Sequence, residues 1–270
     1  MAERSTRSFD GTEIWWSDSE GDGPVVVLLH GVCMTSISNF EIHFGIDGAG
    51  RVAPTEGPTI ASLLRDEGAR VIGIDARGHG RSGRSSDPGA YRGDAHAQDT
   101  MSVIDAVGVD AVDVVGYSMG GLTALRLLGR EHRLRSVALC GGGPVWLEGG
   151  DDRWTRECGE CFQSNDFSAH PEYKPFRAYA RLDPIHDFDS IGAAMIGIES
   201  ITDPWTPVAG VAVMVLNGGD DDGDDDAARL ASLIPGAISK VAGACNHGMA
   251  PSDPPYQDAL IEFIEDNWPS

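Results

Sequence analysis

The sequence predicts an α/β fold: a mostly parallel central sheet with helices on both faces and an inserted cap. Three observations carry this. Short runs of aliphatic and β-branched residues, apolar on both faces, recur along the 270 residues, as buried parallel strands require. Segments of helical periodicity fall between them. One long segment late in the chain, rich in Trp, Asp and Pro, breaks the alternation and is long enough to be an insertion.

In order, Arg7-Ser8-Phe9 and Thr12 to Trp16 flank Asp10-Gly11 and predict an opening hairpin, since Asp-Gly is a strong two-residue turn signal. Strands are expected at Val25 to Leu29, Val71 to Asp75, Ala111 to Gly116, Ser136 to Cys140 and Val211 to Leu216, with a short one near Ile238 to Val241. Helices are expected at Thr59 to Glu67, Ala95 to Val107, Met119 to Leu128 and Asp225 to Leu233. In a last helix Tyr256, Leu260, Ile264 and Trp268 recur every four residues, giving one apolar stripe for the sheet. Val32 to Pro58 is Gly-rich and aperiodic. The reading is one domain, with a core of residues 1–143 and 207–270 and a cap of 144–206.

Composition narrows the function. A net charge of -22, from 42 acidic against 20 basic residues, leaves no basic surface for nucleic acid. The acids are scattered, so a hydrated surface tuned for solubility or salt accounts for them better than attraction of a cationic substrate. No apolar run approaches the roughly 18 residues of a membrane span, and the first residues lack the apolar segment of a secretory signal. A cytoplasmic monomer or homodimer, with no membrane partner, is expected. Five cysteines without repeated spacing do not form a disulfide framework. Cys158-Gly159-Glu160-Cys161 lacks a second pair or nearby histidines, so no metal or other cofactor is expected.

The chemistry concentrates where a strand gives way to a helix, at Gly116-Tyr117-Ser118-Met119-Gly120. A turn that sharp strains the backbone of the serine and admits only small residues two positions to either side. With 35 glycines in the chain the pattern alone is weak, and its placement supplies the specificity. A serine hydroxyl needs a base to remove its proton. His247, in a loop between the last strand and last helix, completes the order Ser, acid, His; the other histidines read as core or surface fillers. The acid that orients it follows the penultimate strand in Asn217-Gly218-Gly219-Asp220-Asp221-Asp222. Counting three past the first glycine gives Asp221, with Asp222 and then Asp220 as alternatives. The backbone N–H groups of Val32, just past His30-Gly31, and Met119, just past the serine, are the candidates to hold a developing oxyanion. Trp146, Trp154, Phe162, Tyr179 and Trp205 are the candidate walls of a substrate pocket beneath the cap.

Together, Leu29-His30-Gly31, the segment Ile74 to Ser82, Val115 to Gly121, Leu216 to Asp221 and Asn246-His247-Gly248 resemble the α/β-hydrolase superfamily, in particular its small esterase and lactonase-like members. The match spans most of the chain in the family's order. It implies a serine hydrolase that cleaves a small-molecule ester or lactone through an acyl-enzyme. Carbon-carbon bond hydrolysis, cofactor-free peracid formation and ligand binding without catalysis are the alternatives the resemblance leaves open. It also implies a structural loop at Asp75 to Ser82, so that His79 has no catalytic role. Relatives that open epoxides or cleave carbon-halogen bonds carry an aspartate where this chain has Ser118.

Overall fold

The protein is described by a computed structural model over residues 1–46, 52–150, 153–201 and 205–269. Residues 47–51 of the Gly-rich stretch, 151–152 and 202–204 of the expected cap, and the terminal residue 270 lie outside the described residues. The strands are β1 (Ala2–Arg7), β2 (Glu13–Asp18), β3 (Val25–Leu29), β4 (His43–Ile46), β5 (Val52–Thr55), β6 (Arg70–Ile74), β7 (Val112–Tyr117), β8 (Leu134–Cys140), β9 (Ala212–Asn217) and β10 (Ile238–Val241). The helices are α1 (Ser36–Phe40), α2 (Ile60–Asp66), α3 (Ala95–Val107), α4 (Met119–Leu128), α5 (Val145–Glu148), α6 (Arg153–Ser164), α7 (Lys174–Ala180), α8 (Phe188–Gly197), α9 (Asp226–Ser232) and α10 (Pro254–Glu265).

Eight strands form one sheet in the order β1-β2-β6-β3-β7-β8-β9-β10, with β4 and β5 paired as a separate hairpin. From β6 to β10 every pairing is parallel, and β1 and β2 join as an antiparallel edge. Side chains alternate between two layers. Val25, Val27 and Leu29 pack with residues of α3, α4 and α9 on one face, while Val26 and Leu28 pack with α2 and α10 on the other. Both faces are thus buried, which is why the central strands read as continuous apolar runs.

The opening hairpin differs from the expected one. β1 runs earlier, from Ala2, and Arg7 pairs with Glu13, so residues 8 to 12 form the connection instead of Asp10-Gly11 alone. Ser8 N–H donates to the Thr12 carbonyl at 2.8 Å and Gly11 N–H to that of Ser8 at 2.9 Å. Those bonds close a wider loop than the two-residue turn. The stretch expected to be aperiodic contains α1, capped by Thr35, whose side chain accepts from the Ser38 amide. The stripe of the last helix extends only to Ile264; Trp268 lies past the helix and donates its indole N–H to Asp113 at 3.0 Å.

Chain order reverses at β3, since β6 pairs with one of its sides and β7 with the other. In such sheets a crevice opens beyond the carboxyl ends of the strands flanking the reversal. The segments following β3 and β7 therefore face each other there. The segment between β8 and β9 supplies α5 to α8, which carry an apolar cluster of their own around Cys158, Phe162, Tyr173, Ile191 and Met195.

Candidate active site

Ser118 sits between β7 and α4 at φ 53° and ψ -113°, a conformation that a side chain rarely adopts without being forced. Two close approaches force it. A Cβ at Gly116 would lie 2.2 Å from the Gly120 carbonyl oxygen, and one at Gly120 would lie 2.0 Å from that of Leu29. Only glycine fits at either position, so the serine stands at the apex of the turn. Its N–H donates to the Cys140 carbonyl at 2.8 Å, tying it to the end of β8.

The loops after β9 and β10 are sewn together by main-chain bonds: Gly219 N–H to the Gly243 carbonyl and Asp220 N–H to that of Cys245, each at 3.1 Å. This seam sets Asp221 against His247, whose Nδ1 is 2.8 Å from Oδ2 and 3.1 Å from Oδ1. The neighbouring carboxylates do otherwise. Asp220 is exposed, and Asp222 Oδ1 accepts from Asn217 Nδ2 at 3.0 Å and from the Ala227 amide at 2.7 Å. Asn217 in turn exchanges two hydrogen bonds with the main chain of Gly142, at 3.0 and 3.1 Å.

The imidazole of His247 has further supports. The Tyr117 hydroxyl donates to the His247 carbonyl oxygen, and the two rings lie 5.1 Å apart between centroids. Burial, with the Asp221 carboxylate nearby, pushes the phenol of Tyr117 well above its ordinary pKa, so it stays a hydroxyl donor.

After β3 the chain is pinned from three sides. Gly31 N–H donates to Asn39 Oδ1 at 2.8 Å, and His30 Nδ1–H donates to the Gly31 carbonyl at 2.7 Å. The Cys33 amide donates to His79 Nε2 at 3.3 Å. Burial depresses the pKa of both His30 and His79, keeping them neutral, and His79 acts here as a support of the backbone. Val32 and Met119 both line the resulting cavity. Neither amide donates to another group among the described residues, leaving both open to a ligand.

Ser118, His247, Val32 and Met119 all line a single cavity of about 550 Å³. Ser118 and His247 share no hydrogen bond among the described residues; such bonds often form only when substrate closes the site. Trp146, Trp154 and Tyr179 also line the cavity. Phe162 and Trp205, expected as walls, do not. Phe162 is fully buried within the α5–α8 cluster between Phe167 and Phe188, because its stripe of α6 turns toward α8. Trp205 packs against the back of α4 and donates its indole N–H to the Leu125 carbonyl at 3.2 Å. Sequence reasoning missed Leu122, Phe176, Met195 and Ile198, which also line the cavity, and Asn39. The helical spacing behind Thr35 was the available signal for Asn39.

A family model described as alpha/beta hydrolase fold matches residues 24–167. The chain belongs to that family. Among relatives, the enzyme is 29% identical over 225 residues, 75% of its chain and 79% of the other, to the 2-hydroxymuconate semialdehyde hydrolase of Pseudomonas putida. It is 41% identical over 73 residues to a Caulobacter segnis protein provisionally named carbamate hydrolase RutD, a match that spans only 27% of either chain. Among solved structures, the enol-lactonase of Burkholderia xenovorans superposes with a TM-score of 0.71 at 19% identity, covering 97% of this chain and 98% of that one. The bottromycin epimerase BotH, in complex with bottromycin A2, gives 0.73 at 18% identity over 99% and 100%. At such identities the structural likeness establishes the fold alone. No helix among the described residues is long and apolar enough to cross a membrane.

Proposed function

We propose that the enzyme is a serine hydrolase acting on a carboxylic ester or lactone, with residues 144–206 as the cap over its site. Ser118 Oγ attacks the carbonyl carbon while His247 takes its proton, and the resulting oxyanion is held by the Val32 and Met119 N–H groups. His247 then passes the proton to the departing alkoxide, leaving an acyl-Ser118 ester. Water attacks that ester with His247 again as base, and the proton returns to Ser118 as the acid departs. Asp221 holds the imidazole in the tautomer that presents Nε2 and stabilises its cationic form. The observation that carries the proposal is the Asp221–His247 pair, built from two separate loops and lining the same cavity as the strained Ser118.

The cavity wall favours a neutral, apolar acyl group. Trp146, Trp154, Phe176, Leu122 and Met195 line it, and no Lys, Arg, Asp or Glu is among the described residues that do. Burying a carboxylate there without a cation is costly. This weighs against the second reading, hydrolysis of a muconate-type semialdehyde acid, which the name of the Pseudomonas relative favours.

Two measurements test the proposal. A fluorophosphonate probe is expected to label the wild-type chain and not Ser118→Ala; equal labelling of both removes Ser118 as nucleophile. A panel of esters and lactones of graded acyl size, with the semialdehyde acid included, is expected to yield its highest kcat/KM on an uncharged ester or lactone. Preference for the acid would favour the second reading.

A further inference from the structure

Resting on that reading, we infer that Tyr117, the residue just before the nucleophile in the G-x-S-x-G turn, is a positioning residue for His247 through its hydroxyl. Its side chain arises from the last position of β7, immediately before the nucleophile, yet its hydroxyl reaches across to the carbonyl of a residue 130 positions later. The base is thereby fastened to the same strand that presents the serine.

Three contacts fix the imidazole. Asp221 engages Nδ1, the phenol ring of Tyr117 packs beside it at an interplanar angle of 40°, and Gly141 closes the Cε1 edge. A Cβ at Gly141 would lie 2.9 Å from His247 Cε1 and 3.4 Å from Tyr117 Cζ, so the two rings and this glycine form one packed group. The aspartate fixes the direction of one ring nitrogen, and the main-chain seam between the loops after β9 and β10 holds the chain at Gly243 and Cys245, two residues short of His247. The tyrosine bond restrains the loop at His247 itself, and with it the separation of imidazole and serine. A misplacement of about 1 Å between reacting groups costs on the order of a hundredfold in rate. The Tyr117 hydroxyl touches no reacting atom in this scheme; its effect is transmitted through the His247 main chain.

The test uses the full chain labelled with ¹³C at histidine Cε1, the His247 signal being assigned from His247→Gln. In Tyr117→Phe, which keeps the ring and loses the hydroxyl, the His247 signal is expected to shift and broaden while the other histidine signals stay in place. On the best ester, kcat is expected to fall at least about tenfold with KM within about twofold, and the acid limb of the pH profile to move. Tyr117→Leu, which removes the ring as well, is expected to be worse. An unchanged His247 signal with kcat within twofold of wild type in Tyr117→Phe would overturn the inference. So would an effect confined to Tyr117→Leu, which assigns the role to ring packing. A wild-type chain that the fluorophosphonate leaves unlabelled, but whose His247 signal responds to Tyr117→Phe, would end the hydrolase reading and leave the positioning role standing.

Discussion

Asp221 meets the imidazole of His247 at 2.8 Å, whereas Asp222 spends one oxygen on Asn217 and the Ala227 amide, and Asp220 faces solvent. Three adjacent carboxylates therefore predict three different mutational outcomes. Asp221→Asn is expected to lower kcat by about 10⁴-fold with little change in stability, because the wrong imidazole tautomer results. Asp222→Ala is expected to cost about 1 kcal/mol of stability, as the start of α9 loses a side-chain acceptor, and to leave the acid in place. Asp220→Ala is expected to be neutral in both. Steady-state kinetics and urea melts on the three variants check this, and a large kcat loss in Asp222→Ala would move the acid role. Residue spacing brought Asp221 to the front but could not exclude its neighbours. Which carboxylate turns inward depends on the main-chain seam between the loops after β9 and β10, whose partner, Gly243 to Cys245, is remote in sequence.

At the level of elements, the turn at Ser118 is built by steric exclusion. Gly120 lies so close to β3 that a methyl group would overlap the Leu29 carbonyl, and the strand and helix cannot separate without opening the core. Gly120→Ala is accordingly expected to destabilise the fold by more than about 3 kcal/mol, toward the severe end for single substitutions, and to abolish probe labelling. A variant with wild-type melting and labelling would contradict the packing. Elements such as α3 and α4 were legible to the residue, because a strand, a glycine or a sharp turn delimits each. Phe162 and Trp205 were misassigned for a different reason. An aromatic in the segment between β8 and β9 reads alike whether it faces the cavity, its own cluster or the back of α4, and only packing decides: for Trp205 the seat on α4, for Phe162 the crossing of α6 with α8. There Gly159 and Gly192 lie so close that a Cβ on either would reach within 2.6 Å of the other's carbonyl oxygen.

For the molecule as a whole, buried histidines set the response to acid. Burial holds His96 down to about 3, against 6.5 for the free side chain, and it likewise lowers His30 and His79. Below pH 6.5 the unfolded chain takes up protons at these sites that the folded chain refuses. Stability is thus expected to be full above pH 6.5 and to fall as pH drops, by up to about 1.4 kcal/mol per pH unit for each such histidine, down to about pH 3 for His96. Asp18, whose pKa its hydrogen bonds to Arg70 lower, adds a further loss once the pH falls below the ordinary carboxylate value and it protonates. Denaturant melts between pH 7 and pH 4 check the slope, and His96→Gln is expected to reduce it by about one proton. An identical slope in the variant would show that His96 is not held neutral. The overall class was readable from composition and alternation alone, since two-sided burial leaves a mark on every central strand. This acid sensitivity was not, because it depends on which histidines the sheet and its loops enclose.

All five cysteines are buried and outside any disulfide, and burial raises every one of their thiols, Cys140 and Cys158 to about 12 and Cys245 to about 11. The thiolate is the form that attacks an alkylating reagent, so the native molecule offers such reagents almost nothing until some part of it opens. Cys33, Cys158 and Cys161 belong to the cluster under α6 to α8, whereas Cys140 and Cys245 lie in the layer between sheet and α10. The two groups act as separate internal clocks: the order in which a slow alkylating agent consumes them tells whether α6 to α8 loosen while the layer under α10 stays shut, or whether both yield together.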